Sequence, residues 1–214
     1  MSLLEIILRK NIYLYFLSQY LFSEFFYKYF HEKEIKILQF INKKFSKKKQ
    51  IIDIGANRGV FAKSVRMFNK DNQIVSFEAN YKLKNYLNNV KKKIHKFKYF
   101  LVGASNKNKK SKLLIPYYKG KHSLDALSSI SQKLVVDSLD RGIFQKNLKK
   151  SIKIFEIETI FKKLDSFKLK PFFIKIDTEG SEHLVLKGMK KTIAKYNPVI
   201  KIEKNKTNFI EVKK

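Results

Sequence analysis

Cysteine and tryptophan are absent from the 214 residues, and only 3 prolines, 7 glycines and 4 histidines are present. Without cysteine there is no disulfide framework, thiolate zinc centre, iron–sulfur cluster or cysteine nucleophile. The histidines, at positions 31, 95, 122 and 183, are too few and too scattered for a multi-histidine metal cage, so no metal site is expected. So little proline and glycine excludes collagen-like and low-complexity classes. Arginine is scarce as well: Arg9, Arg58, Arg66 and Arg141 leave 43 of the 47 basic residues as lysine. The net charge of +29 invites a nucleic-acid interpretation. Bidentate recognition of phosphate and guanine favours arginine, however, and lysines spread through almost every segment read as a solvated surface.

What is present is enough for a core. Hydrophobic residues make up 44% of the chain and charged residues 30%, which fits one principal globular domain with a short extension. Residues 1–49 are that extension, aromatic-rich and helical in pattern: ten of the 30 aromatics fall between Tyr13 and Phe30. The longest charge-free stretch, 11–23, is too short to span a bilayer, which takes ~20 helical residues. The first alanine is Ala56, so a small-residue signal-peptide cleavage site is missing and a cytoplasmic rather than secreted protein is expected. Packing of the aromatic face on the main domain is preferred; the alternative is peripheral membrane contact through residues 1–30, with Lys10, Lys28 and Lys33 near lipid headgroups. Residues 32–42 continue as an amphipathic helix with Ile35, Leu38 and Ile41 or Asn42 on one side.

From residue 50 to 214 short apolar runs alternate with amphipathic stretches, the pattern of an α/β fold whose mostly parallel sheet is covered by helices on both faces. Strands are predicted at 51–54, 73–77, 97–102, 172–176 and 199–202, and helices at 59–68 and 81–90. An irregular insertion is expected at about 105–170, containing two strand-like runs at 111–118 and 152–157.

The strongest local signal is Asp53-Ile54-Gly55-Ala56-Asn57-Arg58-Gly59, directly after the first apolar run and opening a helix. Such a turn brings backbone and helix N-terminal N–H groups to a ligand. A dinucleotide fingerprint fails, because its second and third glycine places hold Asn57 and Val60, and a P-loop fails at the same Val60. Glu78 closes the second strand nineteen residues after Gly59, where an acidic side chain accepts ribose hydroxyls. Asp53, Glu78, Asp177, Glu179, Glu182 and Glu203 all fall at predicted strand ends on one rim, the rim where open α/β sheets bind ligands. So many carboxylates in a lysine-rich chain point to a cationic, adenosine-containing cofactor such as S-adenosylmethionine.

In order and spacing, the Asp53–Gly59 turn, Phe77-Glu78-Ala79-Asn80, Ile176-Asp177-Thr178-Glu179-Gly180 with Leu186-Lys187-Gly188, and Pro198-Val199-Ile200-Lys201-Ile202-Glu203 resemble the FkbM-like family of S-adenosylmethionine-dependent methyltransferases. The resemblance covers about residues 50–203. It implies a class I methyltransferase, Rossmann-like fold and O-methylation of a hydroxyl on a sugar, glycolipid or similar acceptor. By similarity Asp53, Gly55, Asn57, Gly59 and Glu78 hold the cofactor, and Asp177, Glu179 and Glu182 are the candidate catalytic carboxylates. The role of Lys175 is open, and His183 is read as structural.

Two departures stand out. Only 204–214 follow the fifth strand, so the sheet is expected to be truncated or completed by another copy in a homo-oligomer. Ala79 replaces a frequent proline. The alternatives are an RNA 2'-O-methyltransferase, favoured by the net charge and by Lys201 and Glu203, and a basic membrane-peripheral module with a degenerate methyltransferase fold. Amino-directed base methylation is disfavoured, since no Asp/Asn-Pro-Pro-aromatic motif follows the fourth strand.

Overall fold

The computed structural model describes residues 14, 16, 17, 20, 21, 31–42, 49–140 and 149–202. Its centre is a parallel sheet of β1 (Gln50–Ile54), β2 (Gln73–Phe77), β3 (Phe97–Phe100), β8 (Pro171–Ile176) and β9 (Val199–Ile202), in the order β3-β2-β1-β8-β9. This is the expected Rossmann-like α/β sheet. The chain works outward from β1 on one side and returns to add β8 and β9 on the other, so the order reverses between β1 and β8. Ligands of open α/β sheets bind above such a switch point, beyond the C-terminal strand ends.

Alternation along each strand supplies the two covered faces. Ile51, Ile74 and Phe173 pack on one side with helices α1 (Glu32–Asn42), α2 (Val60–Phe68) and α3 (Lys84–Lys93), through Leu38, Ile41, Phe61, Val65, Leu87 and Val90. Ile52, Val75, Ile174 and Ile176 pack on the other with α5 (Glu182–Gly188) and α6 (Lys190–Tyr196), through Val185 and Met189. The predicted face of α1 holds, with Ile35, Leu38 and Ile41 all buried. The helix expected at 81–90 begins as a 3-10 turn, because the Asn80 side chain accepts the Lys82 N–H at 3.1 Å and caps it there.

The stretch expected to be irregular is instead largely a second sheet, in the order β4-β7-β5-β6. Its strands are β4 (Gly103–Ala104), β5 (Lys109–Tyr118), β6 (His122–Ser123) and β7 (Ile152–Lys162), and helix α4 (Gln132–Asp140) lies in the connection between β6 and β7. The polar residues that obscured it are largely outer positions of an alternation along the second half of β7, where Ile157, Thr159 and Phe161 point inward while Glu156, Glu158 and Ile160 are exposed. Lys110 pairs with Glu158 and Lys112 with Glu156 across that outer face. The run predicted at 97–102 therefore ends at Phe100, and the chain crosses to the second sheet at Gly103. Thr159 fastens the sheets together, its hydroxyl donating to the Ala79 carbonyl at 2.8 Å.

Most of the 1–30 segment lies outside the described residues, as do 141–148, Glu203 and 204–214. The choice between packing and membrane anchoring, and the completion of the sheet, rest on those segments. Phe16 is described, and its ring meets those of His122 at 4.8 Å and Tyr118 at 6.5 Å on the second sheet. Among the described residues no helix is long and apolar enough to cross a membrane.

Candidate active site

The turn after β1 is stapled to both neighbours. Gly55 and Ala56 donate their N–H groups to the Phe77 carbonyl, and Asp177 donates its N–H to Ile54. Gly55 has φ +81°, and a Cβ there would lie 1.7 Å from the Asp177 carbonyl oxygen. Glycine is thus required at this place by the close approach of the β1 and β8 ends. Gly59, expected beside the cofactor, caps α2 in the left-handed region and faces α3: a Cβ there would meet Val90 Cγ2 at 2.8 Å. It does not line the cleft.

Glu78 is 9% exposed at the end of β2. Its two oxygens accept the backbone N–H groups of Asn57 at 2.7 Å and Asn80 at 2.8 Å, so the Asn57 amide is spent inside the turn. Each oxygen retains acceptor capacity for a ligand. Burial pushes the Glu78 carboxyl up to about 7, with Asp125 and Asp53 adding to the shift and the two backbone donors opposing it.

This shift gives stability a definite pH dependence. Between the ordinary value of 4.5 and about 7 the folded chain holds a proton that the unfolded chain has lost. Stability contributed by Glu78 therefore falls as pH rises through that window, by at most about 3 kcal/mol. Urea unfolding of wild type and Glu78→Gln across pH 4–8 checks it. The wild type should lose stability relative to the variant as pH rises, and parallel curves would remove Glu78 as the source.

Asp53 and Lys175 face each other in register across β1 and β8, on the face covered by α2. Lys175 is 3% exposed, yet its Nζ lies 3.4 Å from Asp53 Oδ1, 3.1 Å from Asp177 Oδ2 and 3.4 Å from the Gly55 carbonyl. Burial would discharge this lysine, but Asp53 and Asp177 outweigh it and hold it protonated. Asp53 is wholly buried, takes a further bond from Ser76 Oγ at 3.1 Å, and stays out of the cleft. The expected cofactor residue Asp53 is a counter-charge beneath the site.

Asp177 and Glu179 do reach the cleft. The Asp177 side chain keeps 31% of its surface open. Glu182 does not: it is fully buried, and its Oε1 accepts from Thr178 N, Thr178 Oγ1 and Gly180 N at 2.9, 3.1 and 3.2 Å. Glu182 holds the shape of the turn that presents Asp177 and Glu179.

The cleft above these residues encloses about 760 Å³ free of protein atoms, part of it open to solvent. Gly55, Asn57 and Glu78 line it, with Ala79, Val102 and Ala104 as an apolar wall and Asp177, Thr178 and Glu179 opposite. Its remaining side comes from the connection between β6 and α4, through Asp125, Ser128 and Ser129. Sequence reasoning named none of these three. The Arg58 side chain is stacked on the Tyr86 ring with its Cζ 4.8 Å from the centroid, and it donates to Asp125.

A sequence profile described as the methyltransferase FkbM domain matches residues 53–213. Comparison with curated proteins finds no match. Among solved structures, the chain is similar to methyltransferase FkbM from Methylobacillus flagellatus KT, with 18% identity and a TM-score of 0.48. The similarity covers 74% of this chain and 33% of that one, so the chain spans about a third of that protein's length.

Proposed function

The chain belongs to the FkbM methyltransferase family, and from that premise we propose that it transfers a methyl group from S-adenosylmethionine to a hydroxyl of a sugar, glycolipid or similar small acceptor. The observation that carries the reading is the cleft at the β1/β8 switch point, with buried Glu78 on one bank and the open carboxylate of Asp177 on the other.

The residues fit the cofactor. Glu78 has unspent acceptor capacity for a ribose diol, and above about pH 7 it is ionised and accepts most strongly. Ala79, Val102 and Ala104 offer an apolar wall for an adenine ring. Asp177 and Glu179 suit an ammonium or sulfonium charge. When bound, the cofactor supplies an electrophilic methyl group on a sulfonium. The work left to the protein is to align an acceptor hydroxyl and take its proton, which is the role assigned to Asp177. Lys175 and Asp53 fix the Asp177 side chain from below, and Glu182 fixes the turn beside it.

Two measurements test the proposal. Calorimetry should show binding of S-adenosylhomocysteine and none of NAD, and Glu78→Ala should lose about 1.5–3 kcal/mol of that binding. Unchanged affinity in the variant removes Glu78 from the site. Incubation with methyl-labelled cofactor and a panel of glycans and glycolipids should yield a methyl ether. Transfer confined to ribose 2'-hydroxyls of RNA would select the nucleic-acid alternative.

A further inference from the structure

Residues 124–131, between β6 and α4, cross the cleft as a strap fastened on both banks. At one end the Asp125 carboxylate accepts from Arg58 Nη2 at 3.1 Å, Asn80 Nδ2 at 3.2 Å and Ser123 Oγ at 3.0 Å. Those bonds tie it to the turns that follow β1 and β2. At the other end Ser129 exchanges backbone hydrogen bonds with Leu114, and its hydroxyl donates to the Glu179 carbonyl at 2.8 Å. That ties the strap to the turn after β8. Between the anchors lies Ser128, whose N–H donates to the Asp125 carbonyl and which lines the cleft.

The Ser128 hydroxyl is buried and has no hydrogen-bond partner. Among the described residues one other buried side-chain atom shares that condition, Arg66 Nε, and Arg66 does not line the cleft. The neighbouring hydroxyls of Ser123 and Ser129, and that of Thr178 across the cleft, are all paired. A buried hydroxyl left unpaired is penalised, so its persistence in a strap this firmly anchored calls for a partner that the filled cleft provides.

We propose that the Ser128 hydroxyl, turned toward the cleft by rotation about its Cα–Cβ bond, donates a hydrogen bond to the carboxylate at the amino-acid end of the bound cofactor. The inference rests on the cofactor reading given above. The adenosine part is assigned to Glu78 and the wall of Ala79, Val102 and Ala104, which follows β2 and β3. What remains of the ligand then falls under the strap, between its Asp125 and Glu179 anchors. Asp177 and Glu179 there are acceptors suited to the ammonium, and they repel a carboxylate. A neutral donor on the strap is what the carboxylate needs, and Ser128 supplies it.

The test is calorimetry on the full chain with two probes: S-adenosylhomocysteine, and 5'-deoxy-5'-methylthioadenosine, which lacks the amino-acid end. Ser128→Ala should weaken the first roughly tenfold and leave the second within about twofold. Thermal unfolding of the unliganded variant should be unchanged or slightly higher, since an unsatisfied hydroxyl has been removed. Equal affinity of variant and wild type for S-adenosylhomocysteine, equal weakening of both probes, or a clear drop in unliganded melting temperature overturns the inference. Wild-type protein that binds neither probe overturns the cofactor reading and this inference with it.

Discussion

Asp177→Asn is expected to slow methyl transfer by about 10²–10⁴ while the protein stays folded. A neutral hydroxyl attacks poorly, and an asparagine in the same place can hold it but cannot take its proton. The structure separates the three carboxylates that the sequence placed together. Glu182 is fully buried and spends Oε1 on three donors of its own turn, so it cannot touch an acceptor. Glu179 lines the cleft but has φ +49°, a left-handed conformation that non-glycine residues adopt at a cost, and its carbonyl is held by the Ser129 hydroxyl. Asp177 sits at the rigid end of β8 with its backbone bonded to Ile54 and its side chain braced by Lys175. The three variants should therefore behave differently. Asp177→Asn should lose turnover. Glu179→Gln should act mainly on KM, and Glu182→Gln should lower stability as the Thr178–Gly180 turn loosens. Near-normal turnover in Asp177→Asn with loss in Glu179→Gln would move the base to the turn, and activity in both would remove the carboxylate base altogether.

The sheet was legible because parallel strands buried on both faces leave a nearly continuous apolar run, as in Ile51-Ile52 and Phe172-Phe173-Ile174. Right-handed crossovers restrict how they connect, and the order itself comes from the structure. The second sheet was harder to see. β5 opens with lysines and the second half of β7 carries an exposed glutamate and lysine, so 109–110 and 158–162 do not read as strand, and the pairing of Lys109 with Phe161 is a long-range fact. The same cause hid Asp125 and Ser128. No local motif marks them, and they reach the cleft only because the hairpin register carries the strap there. Within the site, position at a strand end was readable but direction was not. Strand parity puts Asp53 and Lys175 on the α2 face, beneath the cleft, and Glu182 turns inward to its own loop. Gly59 was read for a ligand and serves helix packing, a distinction that depends on Val90, thirty-one residues away.

Lys175→Met should destabilise the fold by about 3–5 kcal/mol, because it leaves the Asp53 carboxylate buried without its main cation and with the weaker influence of His31. Asp53 has no solvent exposure and its other described donor is the neutral hydroxyl of Ser76 at 3.1 Å. In the wild type burial raises the Asp53 carboxyl, and Lys175 is the largest influence opposing it. Without the lysine, the folded variant keeps Asp53 protonated to higher pH than the unfolded chain does. The folded state then binds the extra proton, so the variant's stability must fall as pH rises above the ordinary value of 3.8. The deficit relative to wild type should therefore be small near pH 4 and grow toward neutrality. Adding Asp53→Asn removes the stranded charge, and the double variant should recover more than half of the loss, an interaction of the size seen between residues in direct contact. The partnership with Asp177 adds a functional signature: in the double variant, stability returns while turnover stays low, since Asp177 has lost the lysine that fixes it. Urea unfolding at pH 4 and pH 7, with turnover measured on the same preparations, decides the matter. A deficit that does not change with pH, or a double variant no more stable than Lys175→Met, would mean that Lys175 acts by packing against Phe61, whose ring centroid lies 5.7 Å from its Nζ, and not as the counter-charge of Asp53.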